Sequence, residues 1–270
     1  MTLNAGRLLQ QRTWGYLNGL VTGAEPAPDV LCLQDIPERD LPWLRRQWRH
    51  VAFAAMTNHL INGHRAVVGI AILSRYPMIY ITRHTTWGNG KLKDLQGVND
   101  KNERFPPTKE TDDLIDTTED RRAICVTVIK DNRKYNIATT HGYWVRGGAT
   151  SDRQRESTRK LLEFLTREGN ARDGLFLAAD MNFGRGGEMY QMVTAGRHIA
   201  VGFSDKMPAN IDNTLDPDHP FVKKGGKVVT DWFFAQNRHD RSFVLSDVRL
   251  RSDVSDHCAL SATVEIEYGL

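Results

Sequence analysis

Five apolar runs in this chain deliver side chains that carry or hold charge. Asp35 closes "LCLQD" (31–35), His141 closes "NIATTH" (136–141), and Asp180 and Asn182 close "LFLAADMN" (175–182). Asp231 sits inside "VVTDWFFA" (228–235), and Asp256 and His257 stand just before "CALSATVEI" (258–266). Apolar runs of this length read as buried strands, so each brings its polar residue to a strand's exit from the core. Carboxylates and imidazoles gathered at strand ends are the groups that a divalent cation and a phosphate ester require.

Taken singly, each group also has a plainer reading. Asp180 and Asn182 lie two residues apart on one face of an extended strand. A carboxylate and an amide side by side can align a water by accepting and donating at once; the same pattern also makes an Asp-x-Asn turn. Asp256 and His257 must point to opposite sides of an extended backbone, which leaves Asp256 to face a metal and His257 to meet another carboxylate. Asp231 is the natural partner, because a charge inside so apolar a run costs several kcal/mol unless paired. A structural Asp–His pair satisfies the same constraint. Asp35 suits Mg²⁺, which takes one or two carboxylates plus waters, and in isolation equally suits a helix cap.

Together these groups are more specific than apart. Asn4, "LQD" (33–35), "GIAILSR" (69–75), "TTH" (139–141), "AADMN" (178–182), "TDWFF" (230–234) and "SDHCAL" (255–260) occur in an order that resembles the endonuclease/exonuclease/phosphatase family, the DNase-like metal-dependent phosphoesterases. The resemblance runs from residue 2 to about 265. It implies an α/β four-layer sandwich, with two mixed β-sheets packed face to face and helices on both outer faces. It implies Mg²⁺, with Mn²⁺ or Ca²⁺ as alternatives, at a site made by Asn4, Asp35 and Asp256, with Asp35 the direct ligand. Asp180 and Asn182 then orient water and phosphate, Asp231 holds the catalytic imidazole of His257, and His141 contacts the scissile phosphate or the leaving oxygen. Three positions depart from the family pattern. Asp35 stands where the family has Glu, with Glu38 as a substitute three residues beyond; Ala179 replaces a Gly; and "AVVGIAILSR" (66–75) offers no Glu to pair with His141. His141, where abasic-site endonucleases carry Tyr, argues against that branch. "VTDWFF", where inositol-polyphosphate 5-phosphatases carry "WCDR", argues against those enzymes.

The reaction so implied is in-line attack of water on a phosphodiester, with His257 the first choice to activate the water or hold the phosphate and Asp180 the second base. Tyr143, Trp144, Arg146 and Arg185, with Arg153, Arg155, Arg121 and Arg122 nearby, mix aromatics and cations as a nucleic-acid contact does. A DNase-like endonuclease acting on DNA is therefore the leading expectation. The same Tyr-Trp pair can dip into a lipid interface, so a lipid-directed phosphoesterase of sphingomyelinase or phosphoinositide phosphatase type, reading a phospholipid headgroup, is the alternative. A catalytically silent binding protein has only the shortened Asp35 in its favour.

The elements that must position these groups follow from the rest of the pattern. The 270 residues are 40% hydrophobic and 26% charged with a net charge of +3, a globular composition that permits a polyanionic partner without demanding one. No linker or repeat divides the chain, so a single domain over 1–270 is expected. "AVVGIAIL" (66–73) is too short to span a bilayer, and no charged-then-apolar leader opens the sequence, which points to a cytoplasmic protein without membrane insertion. Cys32, Cys125 and Cys258 lie in apolar runs and read as buried free thiols. Helices are expected over 7–20, with Leu9, Thr13, Tyr16, Leu17 and Leu20 as its stripe, over 38–49, and after a Ser151 cap with Thr158, Leu161, Leu162 and Leu165 inward. "AVVGIAILS" (66–74) and "MIYIT" (78–82) read as neighbouring strands of one sheet. "AICVTVI" (123–129) and "YNIATTH" (135–141) read as a hairpin turning at Asp131-Asn132. Residues 83–120 form a long polar insertion, either functional or disordered.

Overall fold

The computed structural model describes residues 1–6, 11–61, 63–99, 106, 108–145, 150–172, 174–195, 202–236 and 241–268. The chain begins with β1 (Thr2–Asn4), α1 (Gln11–Thr22), β2 (Val30–Pro37), the short α2 (Leu41–Leu44), β3 (His50–Ile61), β4 (His64–Ser74) and β5 (Met78–Trp87). Next come α3 (Lys109–Thr118), β6 (Arg121–Lys130), β7 (Arg133–Thr140), α4 (Asp152–Ala171) and β8 (Leu175–Asp180). The final third holds α5 (Glu188–Thr194), β9 (Ser204–Asp205), α6 (Pro220–Lys223), β10 (Asp231–Gln236), β11 (Arg241–Arg251) and β12 (Ala259–Tyr268).

The strands make two six-stranded sheets, in the orders β11-β12-β1-β2-β4-β3 and β5-β6-β7-β8-β10-β9. Each is mixed: β1 runs parallel to β2 and β7 parallel to β8, while the other pairings are antiparallel. The alternation of side chains along a strand explains the layering. In β2, Leu31 and Leu33 join Leu17 and Leu20 of α1 and Trp48 in one apolar cluster. Cys32, between them, faces the other way and joins Ile70 and Ile72 of its own sheet and Val126, Ala138 and Ala178 of the other. Helix α4 lies on β5, β6 and β8 of the second sheet. The result is a four-layer sandwich, helix-sheet-sheet-helix. All three cysteines are buried and free; burial raises the Cys32 thiol to about 11 and those of Cys125 and Cys258 to about 12. Among the described residues no helix is long and apolar enough to cross a membrane.

Several expectations about elements need correction. β4 and β5 are not sheet neighbours: β4 lies between β2 and β3, while β5 pairs with β6 in the opposite sheet. Pro77 and the bend before it carry the chain from one layer to the other, a crossing that apolar periodicity does not encode. The 38–49 helix is only a turn of 3₁₀ helix and the four residues of α2, because the chain must enter the long strand β3 at His50. The polar stretch 83–120 is not structureless. It completes β5 and then forms α3, whose Thr108 cap accepts from the Thr111 amide and whose first turn holds Glu110 and Asp112, both favourable at a helix start. The first turn expected for the 7–20 helix, with Leu9, lies outside the described residues; from Gln11 on, α1 buries Thr13, Leu17 and Leu20. The hairpin is as expected. Asp131 and Asn132 have φ of 50° and 57°, the pair of left-handed residues that a two-residue turn between twisted strands needs.

Candidate active site

Three adjacent strands of the second sheet end at one place. β7 leads into His141, which bridges to Asp180 at the end of β8, and Asp180 is the cross-strand partner of Asp231, the first residue of β10. Two carboxylates directly opposed across an antiparallel pair repel, and both are fully buried. The compensation is an imidazole: His257 Nδ1 lies 2.9 Å from Asp231 Oδ2, and its Nε2 lies 3.9 Å from Asp180 Oδ2. Burial opposes the imidazolium, yet the charges of Asp231 and Asp180 outweigh it and raise the His257 pKa to about 10. Asp231 is further fixed by Thr214, whose hydroxyl oxygen accepts from the Asp231 amide at 3.1 Å and the Thr230 amide at 2.9 Å, and by the Thr230 hydroxyl, which donates to Asp231 Oδ2 at 3.1 Å.

The first sheet contributes from the facing layer. Asn4, at the end of β1, donates from Nδ2 to Asp180 Oδ2 at 2.9 Å and accepts the Gly6 amide at 3.0 Å. Asp35 sits where the β2–β4 register shifts, with φ of 52°; such bulges re-aim a side chain. Its Oδ1 lies 3.1 Å from His141 Nδ1, while His141 Nε2 lies 3.5 Å from Asp180 Oδ2. The carboxylate that "AVVGIAILSR" fails to supply to His141 is therefore Asp35 itself. Glu38, the substitute suggested by sequence, is exposed.

The "DMN" segment forms the turn. The Asn182 amide donates to Asp180 Oδ1 at 2.9 Å, closing an Asx turn, and its Nδ2 donates to the Gly142 carbonyl at 3.0 Å. The side chain thus ties the β8 exit to the β7 exit. Gly142 is required there, because an added Cβ would stand 2.2 Å from the Met181 carbonyl oxygen. Asp256 lies beside the site: its Oδ1 accepts the Ser255 hydroxyl at 2.9 Å and lies 3.2 Å from where a Gly6 Cβ would be, and its charge helps raise the pKa of His257. Its backbone carbonyl accepts the amide of Asp216, one of a second acidic group with Asp218 and Asp253. Asp216 is paired with Arg12 at 3.0 Å. Neither this group nor Thr214 was found by sequence reasoning. Both belong to polar loops without a period, and no local signal marks them.

The donor set fits a divalent cation. Ligand atoms of Asp180, Asp231 and His257 lie within 4.8 Å of one another, and Asp231 Oδ1 is buried without a hydrogen-bond partner among the described residues. Asp180 and Asp231 are fully buried, and among the described residues the ion pairs found for these two carboxylates are with His141 and His257. Buried carboxylates set so close are costly unless offset, and hard oxygen donors are what Mg²⁺, Mn²⁺ and Ca²⁺ take.

The residues expected to touch substrate fare differently. Trp144 is 44% exposed, but Tyr143 is only 6% exposed, packed edge-on against Trp87 with its hydroxyl bonded to Asp116 and Arg153. Arg146 lies outside the described residues. Arg185 is engaged by Asp205 at 3.3 Å and by the carbonyls of Met207 and Ile211, and lies over the Trp232 ring. Arg153 pairs with Asp113 and Asp116, Arg155 with Asp152 and Glu188, Arg121 with Glu119 and Arg122 with Asp120. For Arg153 and for the Glu188 contact of Arg155 the acidic partner comes from another element, so the sequence does not show it.

No family model matches the chain, and no curated sequence is significantly similar to it. Solved structures are similar over nearly the whole length. An endonuclease/exonuclease/phosphatase family protein from Leptotrichia buccalis matches with a TM-score of 0.65 at 14% identity, covering 98% of both chains. D. rerio TDP2 complexed with a single-strand DNA product matches at 0.62 and 14% identity, over 98% of this chain and 97% of that one. Beta toxin from Staphylococcus aureus, with bound magnesium ions, matches at 0.59 and 13% identity, over 97% of each. The chain has the fold of the endonuclease/exonuclease/phosphatase proteins.

Proposed function

We propose that the chain is a metal-dependent phosphoesterase that splits its substrate by in-line attack of water. The observation that carries this reading is the His257–Asp231 pair at 2.9 Å set beside Asp180 in a cluster of buried carboxylates. Asp180 and Asp231, with Asp35 and Asn4 on the facing sheet, are the residues that would hold the cation. When bound, a divalent cation polarises a phosphoryl oxygen and steadies the leaving oxygen.

The chain's own groups divide the remaining work. Against the opposing effect of burial, the charges of Asp231 and Asp180 raise the His257 pKa in the metal-free chain, which suits His257 to donate to a phosphoryl oxygen or to the leaving group. Asp231 orients that imidazole and stabilises its charge, as a buried carboxylate does in other dyads. Asp180 is then the acceptor for the proton of the attacking water. His141, spanned between Asp35 and Asp180, is placed to contact the phosphate, and Asn4 fixes Asp180 from the opposite sheet.

The fold neighbours bound to DNA and to magnesium support nucleic acid and Mg²⁺ as probes, while Arg153, Arg155 and Arg185 are engaged by acidic neighbours. Wild-type protein and His257→Ala, assayed with Mg²⁺ on phenyl phosphate, bis(p-nitrophenyl) phosphate, plasmid DNA, sphingomyelin and phosphoinositides, test the proposal. Turnover of at least one ester by the wild type and a loss of about 10³-fold or more in the variant is the expected result. Wild-type protein inert on the whole panel contradicts it, and leaves a binding protein on this fold.

A further inference from the structure

The loop between β9 and α6 brings a third imidazole, that of His219, beside the site. What fixes this loop is its pairing with the residues that lead into β12. Leu215 bridges to His257 in the antiparallel sense. On either side of that bridge the Cys258 amide donates to the Thr214 carbonyl at 2.8 Å and the Asp216 amide to the Asp256 carbonyl at 2.9 Å. Thr214 also reaches the entry to β10, where its amide donates to the Val228 carbonyl at 3.0 Å and its hydroxyl oxygen accepts the Asp231 amide. The loop is thus built into the same strand ends that carry the His257–Asp231 pair.

After Asp216 the chain turns back. The His219 amide donates to the Asp216 carbonyl at 2.9 Å, and the Asp216 carboxylate, fully buried, pins the turn by accepting the amides of Asp218 at 2.9 Å and Asp253 at 2.8 Å. The turn returns His219 to the segment with which Asp216 is paired. Its ring is half-buried and near enough for the charges of Asp256 and His257 both to act on it. His219 Nδ1 accepts the Phe221 amide at 3.1 Å, which caps α6. A ring nitrogen that accepts carries no proton, so in the neutral ring the proton is on Nε2. Burial lowers the His219 pKa from its ordinary value and favours that neutral form. Nε2 makes no hydrogen bond to any described residue. A half-buried donor left open calls for an acceptor, and a phosphate held by the neighbouring site supplies one.

We propose that His219 is a further substrate-contact residue, whose Nε2–H donates to a non-bridging phosphoryl oxygen of the bound ester. This inference rests on the phosphoesterase reading above. The cap fixes the ring and thereby aims the donor, so one side chain serves both α6 and the substrate. A neutral donor to an oxygen that is anionic before and during the reaction contributes to binding more than to the chemical step.

The test separates the two tasks of the ring. Asn is a strong helix cap, so His219→Asn replaces Nδ1 but is too short to replace the Nε2 donor. With Mg²⁺ and whichever ester of the panel the wild type turns over, His219→Asn and His219→Ala should each lower kcat/KM by about 10- to 100-fold, mainly through KM. The urea midpoint of His219→Asn should stay at the wild-type value. Wild-type kinetics in His219→Asn would mean that the ring is a cap alone and overturns the proposal. A second measurement needs only the wild-type fold: inorganic phosphate with Mg²⁺ is titrated into ¹⁵N-labelled protein, and the His219 ring nitrogens, assigned by their absence from the variants, are followed by NMR. A saturable shift of Nε2 upholds the contact, and an Nε2 signal that stays in place at saturating phosphate overturns it. If no ester is hydrolysed, the phosphoesterase reading fails by itself, and this titration alone decides whether His219 meets a phosphate.

Discussion

His257 and Asp231 show how two residues can be read from sequence through an energetic debt. A carboxylate inside "VTDWFF" must be paired, and the structure pairs it with the imidazole in "SDHCAL" at 2.9 Å. Asp231→Asn keeps the shape but removes the charge that orients and protonates His257; turnover should fall by about 10²- to 10⁴-fold with KM less affected, as steady-state kinetics will show. The same pair sets a pH dependence. The folded pKa of His257, about 10, lies above the ordinary 6.5. Its stabilisation is therefore fully present below about 6.5 and is lost as pH rises through 10. In metal-free protein the urea midpoint should drop between pH 7 and 10.5 in the wild type, and by clearly less in His257→Gln. What sequence did not reveal at this scale is the second partnership. Asp35 reaches His141 only because its φ is 52°, a conformation that an Asp codon does not announce. Thr214 is likewise invisible, one hydroxyl in a polar loop.

Elements were legible where one local rule governs them and illegible where the fold chooses. Asp131-Asn132 is a turn by its own chemistry, and β6–β7 follow from it. α4 follows from Ser151, which accepts from the Gln154 amide, and from the stripe beneath. The passage from β4 to β5 is different. Both runs are strands by composition, but nothing in "SRYPM" states that the chain changes sheets. α3 was hidden because its residues are charged and its support comes from partners elsewhere, such as Arg153 on Asp116. The junction between β7 and β8 makes the sharpest element-level prediction. Gly142→Ala places a methyl group against the Met181 backbone. It should cost roughly 1–3 kcal/mol of stability, as overpacking does, and displace His141, so that turnover falls together with the denaturation midpoint.

At the scale of the whole molecule the two sheets divide the labour. The second sheet brings His141, Asp180 and Asp231 into a row, and the first brings Asn4 and Asp35 across the sandwich to meet them. Neither sheet alone makes the site. Residues up to 176 apart in sequence are joined by one hydrogen bond, from Asn4 to Asp180. Asp180 and Asp231 face each other buried, and the central proposal is that a divalent cation offsets their charge. Hydrolysis of bis(p-nitrophenyl) phosphate tests it most directly, measured for wild type and Asp180→Asn, each with Mg²⁺ and with EDTA. The account predicts turnover by the wild type with Mg²⁺, none with EDTA, and a loss of at least about 10³-fold in Asp180→Asn. Hydrolysis that survives EDTA, or that Asp180→Asn leaves intact, would contradict it.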